Sequence, residues 1–315
     1  MFLDLDLLNL VRSPFIPVVS SSYEYANTDK DDKMRLLMNN NGLVYCPPIL
    51  NGFVGSDISV GILASGLHKS GKLTLFIDLG TNGEIVLGNK DRMLVASVAA
   101  GPAFETSHLS GGKRAASGVI YAAEISDDFT NHYKTYDGKK PSGLCGSAII
   151  DIVASFLRLN LIDSRGRFVT DTECHNMTDA GYVLVHKKET AYFDSIVITQ
   201  KDIGEVQKAK GAIKAGVVLL IQEYGVKTDQ IDRVVLTGAF GMTVNIRNAI
   251  CIGLIPEVLE NIVEFIPNAA GIGARLCLLS KEACDGVDRI KEKVKHINLA
   301  NHDQFSSAFI DSMLF

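Results

Sequence analysis

The stretch LFIDLGTNGEIVLGNKDRMLVASVAAGPAFE, residues Leu75 to Glu105, restricts the possible folds more than any other part of the chain. Three runs rich in Val, Ile, Leu and Phe, Leu73–Leu79, Glu84–Gly88 and Met93–Ala99, are separated by Gly80-Thr81-Asn82-Gly83 and by Gly88-Asn89-Lys90-Asp91. Short apolar runs bounded by Gly, Asn and Asp read as consecutive strands joined by tight turns. The first turn sits beside an acidic residue, Asp78, at the end of an otherwise apolar strand. A buried hairpin gains nothing from a carboxylate at its tip, so that tip is the first place to look for chemistry.

The rest of the chain alternates helices and strands. Residues 1–50, with their prolines and polar runs, predict loops and short strands. Gly55–His68 carries Ile58, Ile62, Leu63 and Leu67 at helical spacing with small residues between them, a helix that packs closely on a neighbour. Residues 101–137 break into loops and short strands, and GGKRAASG (111–118) reads as a mobile loop. Leu144–Leu161 is helical, with Ile149, Ile150, Val153, Phe156 and Leu157 on one face. Tyr182–Val185 and Ser195–Thr199 read as strands. Thr199 and Asp202 form a capping-box signature that opens a long helix to Tyr224. Arg233–Leu236 is a strand running into TGAFG, Val263–Ile266 is another, and NAAGIGARLCLLS is a helix rich in small residues, with two short helices after it. A three-strand meander followed by alternating helices and strands is not a doubly wound pattern. It fits an α/β lobe of the ribonuclease-H type, built on a mixed sheet. We expect residues 1–54 to be an irregular N-terminal segment, the remnant of a preceding lobe. Residues 55–315 form the main lobe, interrupted over about 101–200 by a smaller α+β subdomain of loops and strands.

Composition narrows the functional classes. Apolar residues make up 47% and charged residues 21% of 315, which permits a sizeable core. A net charge of −5 argues against nucleic acid as a partner. No apolar run has the length of a membrane span, and the N-terminus lacks a basic signal region, so a cytoplasmic location is expected. The six cysteines form no C-x-x-C pair and no zinc or iron–sulfur spacing, and the seven histidines are scattered.

Backbone N–H groups converging at a glycine turn after a strand can hold a phosphate chain. A neighbouring Asp can hold Mg²⁺ through water, because Mg²⁺ retains several waters. Asp78, Gly80, Thr81, Asn82 and Gly83 supply both elements, although a hairpin turn with this composition needs no ligand. Glu84 is either part of the site or an outward strand residue. Gly238, Ala239, Phe240 and Gly241 form a second element, where small residues would let a nucleoside lie against backbone. Phe240 either stacks on a base or fills the core.

In this order the elements resemble the second half of the actin-like (ASKHA) ATPases. Residues 55–68 look like connect-1, 78–84 like phosphate-2, 236–241 like the adenosine motif and 268–279 like connect-2. The blocks IDLGTNGEIVLGN, AAGPAFE, SGLCGSAIIDIVA, ITQKDIGEVQKAKGAIKAG, LTGAFG, GLIP and NAAGIGARL resemble one branch, the ATP-dependent reductive activators of corrinoid proteins, over about Phe15 to Phe315. The resemblance implies that the chain binds ATP or ADP with Mg²⁺ and that its partner is a corrinoid protein, reduced from Co(II) to Co(I). It also implies that Glu205, Gln207, Lys208 or Lys210 on the long helix contacts adenosine, unless these form a solvated face. Full activators of this family add a [2Fe–2S] ferredoxin-like domain and a lobe with the phosphate-1 motif. This sequence shows no cluster ligands and no second Asp-x-Gly-Thr turn before Ile77. It is therefore expected to be the C-terminal half, working with the missing half, with a separate ferredoxin-like chain or by self-association into a homo-oligomer. Two other readings stay open: a nucleotide-binding interaction lobe without turnover, and a small-molecule kinase on the same fold.

Overall fold

The computed structural model describes residues 23–27, 43–101, 103–106, 108–169, 174–238 and 244–315. Strands β1 (Tyr23–Asn27) and β2 (Leu43–Cys46) pair antiparallel ahead of helix α1 (Ser56–Ser65). Then come β3 (Thr74–Leu79), β4 (Gly83–Gly88) and β5 (Met93–Val98). Strands β6 (Val119–Ile125), β7 (Asn131–Thr135) and β8 (Gly143–Leu144) form a small sheet, followed by helix α2 (Gly146–Arg158). Strands β9 (Met177–Thr178), β10 (Gly181–Val185) and β11 (Ile196–Ile198) form another. Helix α3 (Gln200–Tyr224) leads to β12 (Arg233–Gly238), α4 (Ile246–Cys251) and β13 (Val263–Phe265). Helices α5 (Ala269–Leu279) and α6 (Lys281–Lys293), strand β14 (Val294–His296) and helix α7 (Phe305–Met313) complete the order.

The central sheet has the order β13-β12-β3-β4-β5-β14. Strands β3, β4 and β5 form the antiparallel meander, β12 joins β3 in parallel, and β13 joins β12 in parallel. This is the mixed sheet expected for a lobe of the ribonuclease-H type. The parallel pairs need long crossovers, and the 25-residue α3 provides one of them.

Alternation along the strands decides what each face covers. Leu75, Ile77, Leu79, Ile85, Leu87, Leu94, Ala96 and Val98 are buried in one core with Ile149, Val153, Ile213 and Leu220 from α2 and α3. Phe76, Val86, Met93, Val95 and Val235 are buried in a second core with Ile58, Ile62, Ala269, Val287 and Ile290 from α1, α5 and α6. Each such side chain contributes roughly 1.5–3 kcal/mol on full burial, so shifting the register by one residue would forfeit both faces. The sheet is apolar on both sides for this reason.

The small-residue helices behave as their composition predicts. α1 and α5 cross so closely that a Cβ at Gly273 would lie 2.0 Å from the carbonyl oxygen of Val60. The capping box of α3 is formed: Asp202 N donates to Thr199 Oγ1 (3.2 Å) and Thr199 N donates to Asp202 Oδ2 (2.8 Å).

Three features differ from the sequence reading. Gly143 and Leu144 pair with β6, so the helix begins at Gly146. The loop at 111–118 is pinned at its start, because Lys113 N donates to Leu144 O (2.9 Å) and Leu144 N donates to Gly111 O (2.9 Å). Helix α4 and edge strand β14 carry no local signal strong enough to stand out. β14 is three residues long and is held by pairing with β5.

Candidate functional site

The register brings four pieces of chain to one end of the central sheet. Leu79 pairs with Gly83 across the hairpin and with Gly238 of β12, and Gly83 pairs with Val98. The turn Gly80-Thr81-Asn82, the loop leaving β5 and the segment leaving β12 therefore start side by side. Helix α5 begins there too: Ala269 N donates to the hydroxyl of buried Thr237 (3.0 Å), which lies beside Asp78 in the sheet. The Asn268 side chain caps the same helix by accepting from Gly271 N (2.9 Å).

Asp78 faces the α1 and α5 side of the sheet, with Glu84 directly across the hairpin and Ser97 beyond it. Ser97 Oγ donates to Glu84 Oε1 (3.3 Å). Burial, and then the carboxylate of Asp57 in the first turn of α1, raises Asp78 to about 6. Burial, then Asp57, then Asp78, raises Glu84 to about 7 against the opposing Ser97 hydrogen bond. Among the described residues no lysine or arginine is among the charges acting on either group. The tip thus holds two carboxylates whose negative charge is poorly compensated, an arrangement that a cation relieves. Glu84 is half-buried in this cluster and is no outward strand residue.

The glycines divide by cause. Above Gly80 a Cβ would find only Asn82 O, at 3.4 Å, so nothing among the described residues demands glycine there. A Cβ at Gly83 would lie 2.9 Å from Ile213 Cγ1 and 3.0 Å from Val98 Cγ2, so packing under α3 accounts for that glycine. Gly238 has φ +113, and a Cβ there would meet Leu79 O at 2.4 Å and Asp78 Oδ1 at 2.7 Å. Its lack of a side chain is what lets Asp78 sit against β12. Thr81 and Asn82 are exposed, and Thr81 Oγ1 donates to Glu105 Oε2 (2.6 Å). Ala239, Phe240 and Gly241 lie outside the described residues.

The polar residues of α3 separate. Lys208 is exposed and pairs with Glu205 (2.9 Å). Gln207 and Lys210 are buried: Gln207 Nε2 donates to Arg165 O (3.1 Å) and Met313 O (3.2 Å). The Lys210 ammonium donates to Leu314 O beneath the ring of Phe315. Burial, and then Lys214, lowers its pKa to about 7. Glu105 joins the tip without a sequence signal of its own, because only the fold brings residue 105 beside residue 81.

The residues at the tip fit a hydrated Mg²⁺, which takes carboxylate oxygens and keeps waters; Asp78 would be the carboxylate to hold it. They do not fit an iron–sulfur cluster. Among the described residues no three His, Cys, Asp or Glu side chains converge as metal ligands. The one close cysteine pair, Cys284 Sγ donating to Cys277 O (3.3 Å), has burial pushing the Cys277 thiol up to about 12, away from the thiolate a cluster needs.

Asp78 makes stability pH-dependent with a definite sign. Its folded value of about 6 exceeds the ordinary 3.8, so the folded chain holds a proton that the unfolded chain releases. This contribution is present at low pH and is lost as pH rises from about 4 to about 6. Asp78→Asn is therefore expected to stabilise the ligand-free chain by about 1–3 kcal/mol near pH 7.5 and by little near pH 4, read from urea unfolding at both pH values. Equal shifts at the two pH values would contradict the electrostatic origin.

Comparison with known proteins agrees with this fold. Residues 72–315 match the family described as the C-terminal domain of RACo, the ASKHA domain, and residues 1–70 match the RACo middle region. The chain is 36% identical over 326 residues to a protein of Eubacterium limosum named corrinoid activation enzyme RamQ, covering 100% of this chain and 54% of that protein. It is 26% identical over 290 residues to the [Co(II) methylated amine-specific corrinoid protein] reductase of Methanosarcina barkeri, covering 85% of this chain and 50% of that protein. A solved structure named reductive activator for corrinoid, iron–sulfur protein superposes with a TM-score of 0.92 at 35% identity, over 100% of this chain and 50% of that one. The chain spans about half the length of each of these relatives. It belongs to the RACo family, and its main lobe is an ASKHA domain.

Proposed function

We propose that the hairpin tip binds the phosphates of ATP or ADP. In this reading the chain is the nucleotide-binding lobe of a reductive activator that couples ATP to the reduction of a Co(II) corrinoid protein to Co(I). The observation that carries it is the open space over Gly80 beside two poorly compensated carboxylates. A phosphate oxygen can reach the turn there, and Mg²⁺ held by Asp78 through water would neutralise charge on the phosphates. Gly238 and the segment after it face the nucleoside. The names of the relatives support a corrinoid protein as partner.

Nucleotide can assist an uphill electron transfer only by binding one arrangement of the partners better than another. Coupling of roughly 1–3 kcal/mol corresponds to about 40–130 mV for a one-electron step. The electron would arrive from a cluster that these residues do not fit, held on the other half of an activator or on a ferredoxin-like chain.

Gly80→Val is expected to weaken ATP and ADP binding by at least about tenfold in calorimetry while the melting temperature stays constant. Unchanged affinity would remove the turn from the site.

Turnover is a separate matter, because phosphoryl transfer needs groups around the whole γ-phosphate and ASKHA ATPases close two lobes over it. The purified chain should release negligible phosphate from ATP alone. An activator half carrying a phosphate-1 lobe, added in trans, should restore release, and Asp78→Ala should abolish what is restored. Robust release from the chain alone, lost in Asp78→Ala, would mean that it completes its own site by self-association. No release under any condition would favour a binding lobe without turnover.

A further inference from the structure

A cavity of about 340 Å³ lies beside the hairpin tip, lined by Glu105, Thr106, Lys113, Arg114, Tyr136, Cys145 and the start of α2. It shares Glu105 with the tip through the Thr81–Glu105 hydrogen bond (2.6 Å). We infer that this cavity receives the terminal phosphates of the nucleotide held at the turn, with Lys113 and Arg114 as the cations that face them; the inference rests on the nucleotide reading above.

Charge favours this occupant. Asp57, Asp78 and Glu84 surround the tip, and among the described residues no lysine or arginine acts on Asp78 or Glu84. Polyphosphate adds further negative charge, and a metal ion compensates only part of it. The cavity that shares a residue with the turn holds two adjacent cations. Its carboxylate, Glu105, is occupied in accepting the Thr81 hydroxyl. The first turn of the 13-residue α2 adds backbone N–H groups at the same wall.

Lys113 and Arg114 are exposed at the cavity, and the backbone and stem of Lys113 are held in place. Gly112 bridges to Leu144, and Lys113 N donates to Leu144 O (2.9 Å). A Cβ at Gly143 would lie 2.8 Å from Lys113 Cγ, so the missing side chain there makes room for the lysine stem. The ammonium lies 4.3 Å from the centre of the Tyr192 ring. Upstream, Thr106 is 3% exposed and holds φ +68, an unusual state for a β-branched residue, with its hydroxyl donating to Glu105 O (2.6 Å). Thr106 and Lys113 are thus each held by local contacts, and Arg114 follows Lys113 at the cavity wall.

Cys145 lines the cavity, and exposed Cys251 lines another, which makes alkylation a site-specific readout. The experiment follows iodoacetamide labelling of both cysteines by peptide mass spectrometry, with Mg·ATP, pyrophosphate or adenosine present, and ATP affinity by calorimetry. ATP and pyrophosphate are expected to slow labelling at Cys145 by about tenfold, with adenosine and the Cys251 rate showing no such effect. Arg114→Gln and Lys113→Met should each remove pyrophosphate protection and weaken ATP binding, with melting temperatures checked against the parent chain. If ATP binds but Cys145 stays unprotected, or if both variants bind ATP as tightly as the parent, the inference fails and the nucleotide reading stands. If ATP does not bind at all, the nucleotide reading fails, and with it the identification of the ligand as nucleotide. Pyrophosphate protection lost in both variants would then uphold only an anion cavity, and no protection would overturn that as well.

Discussion

The parallel register of β3 with β12 is the constraint on which the rest of the site depends. It sets Thr237 beside Asp78 and Gly238 beside Leu79. Thr237 then receives the first amide of α5, and Gly238 leaves the gap into which the Asp78 carboxylate fits. The antiparallel register of β3 with β4 adds Glu84 opposite Asp78. A slip of one residue in either pair would turn Asp78 into the α2–α3 core and disperse the tip. The apolar alternation that prevents such a slip is therefore also what holds these carboxylates in place.

The same register explains the energetic character of the tip. Two half-buried carboxylates with values raised to about 6 and about 7 destabilise the free chain at neutral pH. Residues that lower stability at the end of a well-packed sheet mark sites whose partner arrives later. A bound cation or a proton relieves the repulsion, so occupancy of the tip and stability of the lobe are linked. That linkage is what a nucleotide-driven device requires, because a ligand shifts an arrangement only by its differential affinity.

Much of this was legible in the sequence because the signals were local. The meander showed in three apolar runs with Gly and Asn between them, the α3 start in Thr199 and Asp202, and the α1–α5 crossing in the small residues of both helices. Asp78 and Gly80 stood out as a carboxylate and a turn at a strand end. What was not legible depended on contacts distant in sequence. Glu105 reaches Thr81 only through the loop leaving β5, and Gln207 and Lys210 are covered by Met313 to Phe315 some hundred residues later. Gly83 read as a phosphate contact, and the fold gives it a packing role under Ile213 that no turn statistic reveals. β14 is too short to carry a pattern and exists through its pairing with β5.

The central claim is that nucleotide sits at the tip shared by β3, β4 and β12. Amide chemical-shift mapping of the isotopically labelled chain on addition of Mg·ADP tests it most directly. The account predicts that the largest shifts fall on residues 78–84 and Gly238, with smaller ones at the start of α5. Shifts confined to other cavities, such as the one lined by Asp151 and Asn248 or the one lined by Lys214 and Ile255, would contradict it.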